Sequence, residues 1–102
     1  MTETKRQAIF ARYKGRCAYC GQPMKKKDMT VDHYVPKSRG GGDNIENLMP
    51  CCKACNAMKA ADKLKTFRKR FFWNTLHPAD MATYDNMVAA IAKKKFYFET
   101  VK

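Results

Sequence analysis

Acidic residues are scarce. The chain of 102 residues carries 9 Asp and Glu against 21 Lys and Arg, a net charge of +12. That imbalance favours a polyanionic partner, nucleic acid first and an anionic membrane surface second. Long apolar runs are missing, and none approaches the roughly 18 residues that a spanning helix needs. The membrane reading therefore falls behind. Met1 to Lys14 is charged and has no apolar stretch, so no secretory signal is expected and a reducing setting is. Repeats and low-complexity segments are absent too. Glycine and proline are missing between Cys51 and His77, so nothing there compels a helix to stop. Histidine occurs only twice, and His77 precedes Pro78 without a partner motif, which leaves His33 as the candidate base.

Apolar residues make up 45% of the chain, enough to exclude compositional disorder. A chain of this length buries a modest core, and a structural metal is a common remedy. The 5 cysteines supply one. Cys17-Ala18-Tyr19-Cys20 and Cys52-Lys53-Ala54-Cys55 are two C-x-x-C pairs. An odd count argues against a closed disulfide framework, and a bridge within either pair would close a very short loop. Two such pairs in a reducing compartment fit one tetrahedral zinc-thiolate site. Cys52 keeps the spacing, so Cys51 reads as a small buried apolar residue.

The coarse pattern is α+β. Thr4-Lys5-Arg6-Gln7 predicts a capping box, with Ile9, Phe10 and Tyr13 on one helix face and Gly15 at its end. Met29–Val35 and Asn47–Cys51 read as two short strands around a glycine-rich turn, Pro50 placing the second at an edge. A helix begins near Cys52 and continues or kinks through Leu64, Phe67, Phe71 and Phe72, with Lys63, Lys65, Arg68, Lys69 and Arg70 on its outer side. A further helix follows Pro78, with Met81, Tyr84, Met87 or Val88, and Ile91 as its stripe. Strand and helix are both open for the tail Phe96-Tyr97-Phe98.

The order of these residues resembles the HNH endonuclease family, with its ββα-metal (His-Me finger) core. A C-x-x-C precedes "VDHYVPKSRGG", then "NIENLMP", then "CCKACNAMK". The resemblance implies a single nuclease domain over 1–102, with a core of about 17–61 and a helical extension over 62–102. It implies His33 as the general base and Asn47 as the residue that orients the base's loop. Asp32 and Asn56 would hold a catalytic divalent cation, Mg²⁺, Mn²⁺ or another. Cys17, Cys20, Cys52 and Cys55 would hold structural zinc. Asn56 stands where many members have histidine, a His-Asn-Asn variant, and Ala60 stands where many have glycine. The implied activity is hydrolysis of DNA by nicking or double-strand cleavage. The implied setting is a bacterial or phage-infected cytoplasm, with the protein a monomer, a weak homodimer or part of a larger DNA-processing assembly in a phage or mobile element.

The chemistry stands on physical grounds as well. A neutral imidazole near its reference pKa of about 6.5 accepts a proton from water near pH 7. A hard cation on one carboxylate and one amide oxygen stabilises the leaving oxygen. Lys37, Arg39 and Lys59 flank this constellation and are expected at phosphates, as are Arg68, Lys69 and Arg70. A zinc-stabilised DNA-binding module without catalysis is the alternative. Only Asp32, His33, Asn47 and Asn56 separate the two readings.

Overall fold

A computed structural model describes residues 2–101. The first helix, α1 (Glu3–Arg12), starts two residues earlier than the Thr4 capping box predicts. Thr2 is its N-cap, the hydroxyl accepting from the Lys5 N–H at 3.1 Å. The helix stops where Lys14 and Gly15 take left-handed backbone angles, φ 57° and 76°. Ile9 is its buried anchor and packs with Met29 and Leu48. Arg6 donates to the carbonyls of Lys26 and Met29, and Arg12 to those of Ile45 and Leu48. Two basic side chains thus tie α1 to the loops beside the sheet.

The sheet has two antiparallel strands, β1 (Thr30–His33) and β2 (Leu48–Cys51). Their register sets Thr30 opposite Cys51, Val31 opposite Pro50, Asp32 opposite Met49 and His33 opposite Leu48. Both strands are shorter than the sequence suggests, because Val35 and Asn47 belong to the connecting loop. In a two-stranded sheet each strand is an edge, so Pro50 is tolerated. Its carbonyl accepts from the Ala18 N–H at 2.8 Å and fastens the first C-x-x-C turn to β2.

Helix α2 (Lys53–Lys59) follows directly, with the Cys52 sulfur accepting at its N-terminus. It does not run on into the next helix. Ala60 takes φ 48° and ψ −129°, and α3 (Leu64–Phe72) starts afresh with Lys63 as its N-cap. After two short turns come α4 (Tyr84–Ala92) and α5 (Tyr97–Thr100). The Phe96–Phe98 tail is therefore helical.

The turn sends α3 back over the cysteine knuckle. Phe67 stacks on Phe96 with centroids 5.0 Å apart, and Tyr19 meets both rings edge-on. The Tyr97 and Phe98 N–H groups bond to the Tyr19 and Ala18 carbonyls at 3.0 and 2.7 Å. The larger of two core clusters is thus an aromatic one beneath the knuckle, to which the C-terminal helices contribute, and the smaller is the Ile9, Met29 and Leu48 group under α1. No helix among the described residues is long and apolar enough to cross a membrane.

Candidate metal and hydrolytic site

Four sulfurs converge at the outer end of the sheet. Those of Cys17, Cys20, Cys52 and Cys55 all lie within 4.8 Å of one another. Two come from the knuckle before β1 and two from the start of α2, so one ion would join the two halves of the core. An all-sulfur set of this kind suits zinc. Cys51 lies outside the set; it is fully buried and its thiol turns to the Cys52 carbonyl at 3.2 Å. The Cys17 thiol is held far below the usual thiol range, first by hydrogen bonding from Cys51 and then from Cys55. That same bond to Cys17 pushes Cys51 and Cys55 up, and burial raises Cys20 to about 11. Such a cluster gives up protons when it takes a cation.

Asp32, His33 and Asn56 border one cleft of about 360 Å³, together with Lys37 and Ser38. Successive strand residues point to opposite faces, so Asp32 and His33 can share a cleft only near the end of β1, where the chain turns. Asp32 is 5% exposed. Its Oδ2 accepts from the Tyr19 hydroxyl at 2.6 Å and lies 3.1 Å from the Lys59 ammonium. Both partners use Oδ2, which leaves Oδ1 for a cation. Burial, and then the Asp32 charge, push the Tyr19 phenol well above its ordinary value, so it remains a donor. Asn56 sits on α2 and makes no side-chain hydrogen bond among the described residues. A carboxylate oxygen and an unspent amide make a hard donor set that suits Mg²⁺ or Mn²⁺ with waters completing the shell.

His33 is held from the loop side. Its Nε2 lies 2.8 Å from Oδ1 of Asp43, which Lys37 also approaches at 3.5 Å. Hydrogen bonding to His33, then the Lys37 charge, hold the Asp43 carboxyl below its usual range. Asn47 pins the loop between them. Its Oδ1 accepts from the Val35 N–H at 2.8 Å, and its Nδ2 donates to the carbonyls of Val35 and Gly42 at 3.1 and 2.8 Å. Gly41 is needed here because a Cβ would lie 1.7 Å from the Val35 oxygen.

The expected phosphate contacts divide. Lys37 and Arg39 are exposed beside the cleft. Lys59 is not: it is 0% exposed, and its ammonium also donates to the His33 carbonyl at 3.0 Å. It is a buried partner of the site, out of reach of a phosphate. Arg68 is likewise engaged inside, paired through both nitrogens with Glu99 at 2.7 and 2.8 Å and lying over the Phe96 ring. Arg70 is half-exposed and pairs with Asp62, while Lys69 carries no ion pair among the described residues. Tyr19 and Asp43 escaped the sequence reading. Tyr19 stood inside the first C-x-x-C and Asp43 in the glycine turn, both visible only as spacers.

Residues 17–62 match the family model described as HNH endonuclease. That segment is similar to the HNH endonuclease family and carries the four-sulfur cluster. Over 45 residues the chain is 42% identical to the CRISPR-associated endonuclease Cas9 of Corynebacterium diphtheriae, a match covering 43% of this chain and 4% of that protein. The crystal structure of the Type II-C Cas9 enzyme from Actinomyces naeslundii superimposes with a TM-score of 0.60 at 24% identity, covering 66% of this chain and 7% of that one. The chain thus spans a small fraction of each relative, and the structural likeness concerns the fold.

Proposed function

We propose that the HNH segment is the hydrolytic centre of a metal-dependent DNA endonuclease. The observation that carries this reading is the common cleft of His33, Asp32 and Asn56, bordered by the exposed Lys37. His33 is the general base. With Nε2 held by Asp43, the proton of the attacking water goes to Nδ1. Asn47 keeps the 34–42 loop, and with it Asp43, at a fixed distance from the imidazole. Asp32 and Asn56 hold the divalent cation, which when bound stabilises charge on the leaving oxygen. Lys37 and Arg39 approach the phosphates flanking the scissile bond, and Lys69 and Arg70 extend that contact along α3. Cys17, Cys20, Cys52 and Cys55 hold zinc and set the angle between knuckle and α2.

DNA is the proposed substrate because the chain is strongly basic and the curated relative is an endonuclease. Reduced thiols accord with a cytoplasmic setting. Incubation of supercoiled plasmid with the protein and Mg²⁺ tests the reading. Nicked or linear product is expected, and His33→Ala should lower the rate by about 10²–10⁴-fold. Cleavage at the full rate by His33→Ala would overturn it. DNA binding without cleavage under any divalent cation would favour the non-catalytic binding module.

A further inference from the structure

The aromatic side chains of this protein are mostly spent on one another. Tyr19, Tyr34, Phe67, Phe71, Phe72, Phe96 and Phe98 form a continuous set of ring contacts. Trp73 and Tyr84 stand outside it. They are 44% and 67% exposed and make no aromatic contact among the described residues. They also stand on either side of one basic ridge. Lys69 of α3 borders a cleft of about 710 Å³ with Lys65, Lys95 and Tyr84. It equally borders a smaller cleft with Arg70 and Trp73.

The charge in the larger cleft is unspent. Lys65, Lys69 and Lys95 make no ion pair among the described residues. Glu99 is taken up by Arg68, which leaves Asp85 as the one unpaired carboxylate on its walls. The floor is apolar, formed by Leu64, Val88 and Ile91. Tyr34 also lines it, and Tyr34 directly follows His33.

Phosphates of a duplex need cations only, since its bases are stacked inside. An unpaired strand needs cations for its backbone and open aromatic faces for its bases. The ridge supplies both. We propose that α3 and α4 form a binding site for single-stranded nucleic acid, with bases seated on Tyr84 and Trp73 and the backbone along Lys65, Lys69 and Lys95. This rests on the nuclease reading only in naming the strand that is led to His33; binding itself does not depend on it.

Trp73 is the sole tryptophan, so its fluorescence reports the contact directly. The full-length protein is titrated with a short oligothymidylate, with its abasic counterpart and with a duplex of equal length, without added Mg²⁺ so that nothing is cut. The thymidylate should quench Trp73 and bind more tightly than either comparator. Tyr84→Ala should weaken the thymidylate complex by about 5- to 150-fold, the scale of one stacked base, and leave the duplex complex nearly unchanged. Tyr84 is largely exposed, so the variant should fold, and an unchanged zinc content checks this. Equal binding of thymidylate and abasic strands, or a Tyr84→Ala protein with unchanged affinity, would overturn the proposal. Sedimentation in which the wild type self-associates and Tyr84→Ala does not would assign the face to a second copy instead. Loss of plasmid cleavage in His33→Ala is read separately, so either reading can fail alone.

Discussion

The Lys59 ammonium lies 3.1 Å from Oδ2 of Asp32, and both side chains are buried. A lysine without solvent contact is rare unless a charge faces it. Here the facing charge is the proposed metal ligand, and the ammonium also holds the His33 carbonyl. One side chain therefore fixes both residues of the Asp-His pair. Removing either partner strands the other in an apolar setting. Lys59→Met should lower unfolding stability by about 3–5 kcal/mol. The double variant Asp32→Asn, Lys59→Met should lose less than the two single losses summed. Urea unfolding of the four proteins measures this. Additive losses would mean the pair is not coupled.

The thiol cluster joins the knuckle to the start of α2, beside the Ala18–Pro50 hydrogen bond that already fastens the knuckle to β2. Replacing Cys17, Cys20, Cys52 or Cys55 with Ser should release zinc and loosen the fold, since such sites contribute about 10–16 kcal/mol of apparent binding free energy. Cys51→Ser should keep stoichiometric zinc. Because the raised thiols of Cys55 and Cys20 hold protons that a cation must displace, affinity should fall as pH falls. Metal analysis of the purified variants, with a zinc-competition titration at several pH values, gives the answer.

Much of this was legible in the chain, and the rest has physical reasons for its silence. The two C-x-x-C pairs announced the sulfur cluster, because metal chemistry constrains both residue type and spacing, and the resemblance to HNH endonucleases pointed to Asp32, His33 and Asn56, which line one cleft. The position of Lys59 was hidden, since a lysine on a helix next to a site reads as solvated and only the distant Asp32 makes its burial tolerable. Arg68 was hidden likewise by its partner Glu99, far along the chain. Asp43 lay in a turn whose glycines drew all the attention. The break between α2 and α3 is unmarked by composition, because alanine favours helix, and only the resemblance, with glycine in many members at the place of Ala60, pointed to it. It is imposed by packing, as Phe67 must reach Phe96 and Tyr19.

That break costs something at Ala60. Its φ of 48° with ψ of −129° lies where a Cβ is poorly tolerated. Many HNH proteins carry glycine at this place. Strain of this kind is worth about 1–3 kcal/mol, and glycine loses part of the gain to unfolded-state entropy. Ala60→Gly should therefore raise stability by about 1 kcal/mol, seen as a higher Tm with unchanged zinc content. A lower Tm would show that the neighbouring loop absorbs the strain.

The Asp43 carboxylate contact on His33 makes a separate prediction. Asp43→Ala leaves the imidazole free to turn and should lower kcat by up to about 10²-fold, with DNA affinity little changed. Asp43→Asn keeps an acceptor and should retain much of the rate. The folded-state pKa of Asp43 is depressed, so its contribution is present above the unfolded value of about 4 and is lost as pH falls through the folded one. Carboxyl ¹³C titration of Asp43 in wild type and in His33→Ala reads this, the variant midpoint moving upward.

The basic residues of α3 should separate into two groups on substitution. Lys65 and Lys69 make no ion pair among the described residues, whereas Arg68 is locked between Glu99 and the Phe96 ring. Lysines that neutralise phosphates release counterions, so each lost contact should flatten the logarithmic salt dependence of duplex binding by about 0.9. Lys65→Ala with Lys69→Ala should shrink that slope and leave Tm unchanged. Arg68→Ala should do the reverse. It removes a bidentate pair that is mostly out of water and should lower stability by about 1–3 kcal/mol, with the salt slope kept. Affinity titrations at several salt concentrations, run beside thermal melts, separate the two. A flattened slope in Arg68→Ala at constant Tm would mean that Arg68 leaves Glu99 to meet the DNA.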